Sequence, residues 1–202
     1  SDPATDPTGA SQRYVVAEAR LEAYARELGE DPASRVVERL KGSDLLGRSY
    51  EPPFTYYRGQ ENAHRVVEAD FVTTTDGTGL VHSAGAFGED DKVVTDREGI
   101  EPVMPVAADG TFTAPVGEYA GLQVFDANAP IIAHLKAATR AVGGQTGQDT
   151  GSVSPGTVLL RHETYDHSYP HCWRCRQPLM YKGVESWFVK VTDVKYRMLE
   201  NN

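Results

Sequence analysis

Apolar residues along this chain follow two periods. In "YVVAEARLEAYARELGE" a short strand signal at Tyr14–Val16 gives way to a helical pattern, with Leu21, Tyr24, Ala25 and Leu28 on one face and Gly29 at the C-terminal end. "DANAPIIAHLKAATRAVGG" is the strongest helical pattern. Ile131, Ile132, Leu135 and Ala138 form its apolar face, Asp126 and Asn128 are candidate caps, and Gly143–Gly144 stops it. "DKVVTDREG" predicts a shorter helix closing near Gly99.

Elsewhere the period is two. "HRVVEADFVTTTDGTGLVHSA" predicts a hairpin of two β-branched runs turning at Asp76–Gly77. Arg35–Leu40 is strand-like and is followed by a turn or short helix from Ser43. Pro52 and Pro53 keep "YEPPF" out of any central strand, because proline cannot donate to a ladder. Residues 100–125 read as short strand and turn pieces with a turn at Asp109–Gly110. "GGQTGQDTGSVSPG" predicts a flexible loop with little to bury. From Thr157 to Thr192, two or three alternating strands flank a cysteine knuckle. There is no internal repeat. The pattern as a whole predicts a β-rich α+β fold, a curved sheet or β-barrel carrying two substantial helices.

Composition narrows the class. The 202 residues suit one domain with a small appendage, and 40% hydrophobic and 24% charged residues are ordinary for a globular protein. No apolar run approaches the roughly 18 residues of a membrane helix, so no membrane partner is expected. Residues 1–12 are rich in Pro, Thr, Asp and Ser, carry no signal-peptide pattern and should be loose. The chain starts at Ser1 and stops just after a strand-like segment, so a fragment of a larger protein is expected. Two cysteines in a C-x-x-C pair are too few for a disulfide scaffold and suit a reducing, cytoplasmic setting. A net charge of -9 argues against broad nucleic-acid binding, but not against a narrow pocket receiving one nucleic-acid end.

Candidate chemistry concentrates in "GTGLVHSAGAFGEDD", Gly77–Asp91. Phosphate loops need G-x-x-x-x-G-K-[ST], and dinucleotide folds need G-x-G-x-x-G; here the third glycine of the latter would fall at His82. His82, Glu89, Asp90 and Asp91 could converge on a metal. Three acids opening a helix are explained more simply by the positive end of its dipole. His82 by itself reads as a hydrogen-bonded structural histidine.

This stretch resembles the G-T-G-x-V-H-x-A-P-A-F-G-x-x-D signature of the editing domain of isoleucyl-tRNA synthetase, shared more loosely with the valyl and leucyl enzymes. "LKGSDLLGRSYEPPF", "GLQVFDANAPIIAHL" and "HSYPHCWRCRQPLMYKGVESWFVKVT" are similar to three further family segments, in the family's order. The resemblance runs from about Gly42 to Thr192 and implies the β-barrel editing domain of the Val/Ile/Leu-tRNA synthetases. It implies residues 1–164 as the editing core and 165–202 as the knuckle and strand returning to a catalytic body. The implied activity is hydrolysis of valyl-tRNA(Ile). One methylene separates Ile from Val and is worth only about 1–3 kcal/mol to a pocket, a limit for which isoleucyl-tRNA synthetase is itself the standard example.

The resemblance assigns Asp91 to the substrate's α-ammonium group and His82 to the wall of the pocket, with orienting water as a second implied role. Gly77, Thr78, Gly79 and Phe87 would complete the substrate-binding set, the glycines letting backbone approach closely. The implied partners are the 3′ end of aminoacylated tRNA(Ile) and the catalytic body of the same polypeptide, where ATP-dependent isoleucine activation would reside. Valyl-type editing of threonyl-tRNA and a noncatalytic tRNA-end binding module stay open as alternatives.

Two departures stand out. The family proline after H-x-A is Gly85 here, which should loosen the turn behind the pocket. The family's T-T-T-P-W-T peptide is not in these residues, and Thr73–Thr75 lack its continuation. The isolated chain is therefore expected to deacylate weakly or not at all. Cys172 and Cys175 supply two of the four ligands a structural zinc needs, so they are half of a zinc site expected in the full-length protein. No cofactor is expected in the isolated chain. Adjacent His171 is poorly placed to share one tetrahedral ion, and a redox role lacks the surrounding βαβ pattern.

Overall fold

The computed structural model describes residues 12–29, 31–164 and 166–201. The expected loose N-terminal stretch therefore lies, but for Gln12, outside the described residues. Four α-helices occur among them: α1 (Ala25–Leu28), α2 (Glu89–Arg97), α3 (Asn128–Val142) and α4 (Lys195–Glu200). Short 3₁₀ turns precede α1 at Glu18–Arg20 and Glu22–Tyr24, so the first helical pattern is realised as a broken helix ending at Gly29, with φ 96°. Gly42–Leu45 is the short helix expected near Ser43. The short helix expected to close near Gly99 forms as α2 and the strongest pattern forms as α3, so of the two substantial helices expected only α3 is realised as one. Neither has a side-chain cap: the N-cap of α2 is Gly88 and that of α3 is Ala127, so Asp126 and Asn128 do not cap.

The β-rich expectation is overturned. No strand forms among the described residues; extended segments meet at five isolated antiparallel bridges, Ser49 with Arg65, Phe54 with Val153, Val106 with Phe112, Thr111 with Gln123, and His171 with Pro178. Neither a curved sheet nor a barrel is present there. Alternation signals extended, half-buried backbone, but a ladder also needs an uninterrupted run of donors on both edges. Phe54, Val106 and His171 each follow a proline, and Pro178 is itself a bridge partner. The hairpin at Asp76–Gly77 is absent for a related reason. Its turn forms, but Thr78 O accepts from Ala17 N at 2.8 Å instead of pairing its own flanks.

The core centres on Tyr119, 2% exposed, at the end of a 3₁₀ segment Ala114–Tyr119. Phe54 and Phe112 approach its ring at 6.4 Å each, and His134 of α3 at 5.7 Å. His134 brings α3 against this centre, and Ala137 and Ala138 of α3 and Ala127 at its N-cap are buried. The loop expected to bury little contributes Val153 and Ser154, 6% and 1% exposed. Ser154 Oγ donates to Pro52 O at 2.6 Å and its N–H to Pro53 O at 2.9 Å, which uses carbonyls that the proline pair leaves unladdered. Among the described residues, large apolar side chains stand exposed near the C-terminus: Trp187, Phe188 and Val189 are 103%, 90% and 81% exposed.

Candidate functional site

The Gly77–Asp91 segment is built as a turn, an extended stretch, a second turn and the start of α2. In the first turn Gly79 N–H donates to Asp76 O at 3.1 Å, with Gly77 and Gly79 at φ 49° and 81°. Both positions need glycine for that conformation. The N-terminal segment pins the turn: Ala17 N–H reaches Thr78 O, and Arg20 Nε donates to Gly77 O at 3.0 Å. A side chain on Gly79 would meet Ala17 Cβ at 2.5 Å, whereas nothing lies within 4 Å of one on Gly77. The room left by Gly79 is thus filled by the chain itself, and only Gly77 has open space over it. Thr78 Oγ1 donates to Leu80 O at 3.1 Å, inside the turn.

His82 lies exposed on the extended stretch, and no hydrogen bond or ion pair engages it among the described residues. Its neighbour is engaged: Ser83 Oγ donates to Asp91 Oδ1 at 2.7 Å. Asp91 is half-buried in the first turn of α2. The bond ties the strand-like stretch to the helix start at the residue after His82. Asp91 Oδ2 takes no hydrogen bond among the described residues and faces the Cα of Gly88, where a Cβ would be 2.7 Å away. Gly88 thereby keeps the carboxylate uncovered. Ser83 occupies a variable position of the motif and was invisible to sequence reasoning; only the spacing of eight residues to Asp91 could have hinted at it.

Between them, Phe87 N–H donates to Ala84 O at 2.9 Å and closes the second turn. Ala86 is 5% exposed, and its carbonyl accepts from Gly183 N at 2.7 Å, so the C-terminal segment backs this turn. Gly85 is not a loosened position. Its missing side chain is replaced by Thr95 of α2, itself 6% exposed: a Cβ on Gly85 would overlap Thr95 Oγ1 and lie 3.0 Å from Thr95 Cβ.

The cysteine knuckle is a tight reversal. Cys172 N–H donates to Gln177 O and Arg176 N–H to Cys172 O, both at 2.8 Å, with Arg176 at φ 63°. Backbone N–H groups of Cys175 and Arg174, then the Cys175 side chain, hold the Cys172 thiol below its ordinary pKa, toward the thiolate a metal needs. His171 Nδ1 is taken by Tyr169 O at 2.9 Å. Among the described residues, no group of three or more His, Cys, Asp or Glu is placed to hold a metal; the acids opening α2 do not converge with His82 on one.

A second polar cluster had no motif to announce it. Glu118 Oε1 accepts from Ser152 N at 2.6 Å, and Oε2 accepts from Ser152 Oγ at 2.9 Å and from the Tyr56 hydroxyl. Partial desolvation of Glu118 is outweighed by the Tyr56 hydroxyl and by the backbone and hydroxyl of Ser152, which hold its carboxyl down to about 2. Desolvation and then the Glu118 bond push Tyr56 up to about 12. Tyr119 OH bonds His134 Nδ1 at 2.8 Å alongside. The cluster fastens the 143–156 loop to the core.

No protein-family model matches the chain. Individual relatives do. The chain is 53% identical over 191 residues to the isoleucine–tRNA ligase of Mycobacterium tuberculosis, a match covering 95% of this chain and 17% of that protein. It is 52% identical over 198 residues to the isoleucine–tRNA ligase of Mycobacterium leprae, covering 98% and 18%. It is 42% identical over 189 residues to that of Rickettsia bellii, covering 94% and 15%. The chain spans less than one fifth of the length of these relatives.

Proposed function

Taking this chain as a segment of the isoleucine–tRNA ligase family, we propose that it is the proofreading segment. It would hydrolyse the ester of valyl-tRNA(Ile), while ATP-dependent activation of isoleucine belongs to the remainder of the polypeptide. Residues up to 164 would form the proofreading body, and 165–202 would return toward the synthetic body. Cys172 and Cys175 would contribute half of a four-cysteine zinc site. The observation carrying this reading is the Ser83–Asp91 bond within the motif.

An ionised carboxylate held through one oxygen can offer the other to an α-ammonium group, and such a charge-assisted bond is among the stronger ones. Anchoring the amino group would place the ester carbonyl near the His82 end of the segment. There His82 shapes the space beside the substrate side chain and can orient the attacking water. Water adds to the carbonyl, the tRNA ribose oxygen leaves, and valine and free tRNA result. Isoleucine would be excluded by its extra methylene.

The test is Asp91→Ala in the full-length ligase. Valyl-tRNA(Ile) should accumulate while isoleucyl-tRNA synthesis stays within about twofold. Loss of both activities in parallel, or of neither, would sink the reading.

A further inference from the structure

A stretch with a different composition lies outside that site. From His167 to Val184 there is no Asp or Glu, in a chain whose net charge is -9. The stretch holds Arg174, Arg176 and Lys182 together with Tyr169, Trp173 and Tyr181. Lys182 is spent on backbone, donating to Val106 O at 2.9 Å and Ala107 O at 3.0 Å. The two arginines are exposed, and neither has a carboxylate partner among the described residues. Trp173 is 76% exposed and Tyr181 66%. Arg174 Cζ stands 4.6 Å above the Trp173 ring. His167, Tyr169 and His171 alternate along one extended face, with ring centroids 6.0 and 6.1 Å apart and planes at 83° in both pairs.

We propose that this knuckle face is a stacking platform for single-stranded RNA, separate from the Asp91 site. The proposal rests on the proofreading reading only for its source of RNA, the unpaired end of tRNA and the strand leading to it. Single-stranded nucleic acid is bound by pairing cationic groups with phosphates and exposed aromatic faces with bases. Both are present here at adjacent positions. Unpaired arginines face solvent where no acid opposes a polyanion, and an exposed indole lies beside them. An exposed tryptophan on a tight turn loses little entropy on binding, because Arg174 already rests against it. The surplus of acids elsewhere favours one-directional seating, since a strand is repelled from the remaining surface.

Trp187→Phe leaves Trp173 as the sole tryptophan, since the chain has 2. Its fluorescence would be titrated with an unacylated single-stranded RNA of about 12 nucleotides. Saturable quenching is expected, with a log–log salt slope of about -1.4 for two phosphate contacts. Arg174→Ser with Arg176→Ser should weaken binding at least tenfold, and Arg174→Lys with Arg176→Lys should restore most of it. Equal quenching by polyglutamate, or unchanged affinity in the double serine variant, would overturn the proposal. So would a duplex RNA binding as tightly as the single strand. The RNA carries no ester, so a failure of valyl-tRNA hydrolysis would leave this result standing. Conversely, loss of the platform leaves the Asp91 test unaffected.

Discussion

Thr95 of α2 occupies the place where a side chain on Gly85 would be: a Cβ there would overlap Thr95 Oγ1 and come within 3.0 Å of Thr95 Cβ and Cγ2. Gly85 does not adopt a positive φ, so its requirement is steric and not conformational. Gly85→Ala should therefore destabilise by about 1–3 kcal/mol through overpacking. Gly85→Pro, which restores the family residue, should cost at least as much here. In a Thr95→Ala background the Gly85→Ala penalty should fall by about half or more, a coupling visible in a double-mutant cycle by urea unfolding. Additive penalties would show that the contact does not set the choice of glycine.

The Ser83–Asp91 bond predicts a positioning effect distinct from loss of the carboxylate. Hydrogen bonds to charged groups contribute about 1.5–3 kcal/mol. If the proposed proofreading activity holds, Ser83→Ala in the full-length protein should therefore weaken valyl-tRNA hydrolysis roughly tenfold or more, chiefly in KM, with kcat largely retained. Ser83→Thr should recover most of it by keeping the hydroxyl. Wild-type hydrolysis by Ser83→Ala would remove the serine from the site.

What could be read from the residues and what could not divide along physical lines. α3 was legible because a 3.6-residue apolar period and closing glycines act within one segment, and α2 from its closing Gly99. Strand pairing was not legible, because alternation reports only that a segment is extended. Whether its edge finds a second donor depends on prolines in partners far away, as at Phe54, which meets Val153 across the chain. Asp91 and His82 were legible as a motif, but Ser83, which orients Asp91, occupies a position the motif leaves free. Gly85 was visible only as a departure; Thr95 explains it once α2 is folded onto the turn. Glu118 had no signal, because its partners Tyr56 and Ser152 are 62 and 34 residues away.

Glu118 makes attachment of the 143–156 loop acid-sensitive. Its carboxyl is held down to about 2 from an ordinary 4.5. The stabilisation is therefore fully present above about pH 4.5 and is lost as pH falls toward 2. Because Glu118 is exposed, solvent screening limits the effect to about 1 kcal/mol. Hydrogen exchange at the Ser152 amide should accelerate across that window relative to amides of α3. Glu118→Gln should flatten the dependence, and Tyr56→Phe should move it upward in pH. An exchange ratio that stays constant from pH 5 to about 2.5 would exclude the carboxylate as the fastener.

Arg161 joins two segments 134 residues apart in the chain. It donates to Glu27 Oε1 at 2.9 Å, lies 4.8 Å above the Tyr24 ring, and has a second carboxylate, Glu163, at 3.2 Å. The Arg161 and Glu27 side chains are 25% and 13% exposed, and Glu27 Oε2 is buried without a partner. Removing the cation strands a mostly buried carboxylate, so Arg161→Ala should cost about 3 kcal/mol, more than Glu27→Gln. Arg161→Lys should recover only part, because an ammonium cannot both lie flat on Tyr24 and fork to a carboxylate. Replacing the pair together, Arg161→Met with Glu27→Leu, should come within about 1 kcal/mol of the parent, since burying the pair already costs desolvation. Urea midpoints of the four variants decide it. If the double replacement is as damaging as Arg161→Ala alone, the stability resides in the packing of Arg161 on Tyr24 and not in the ion pair.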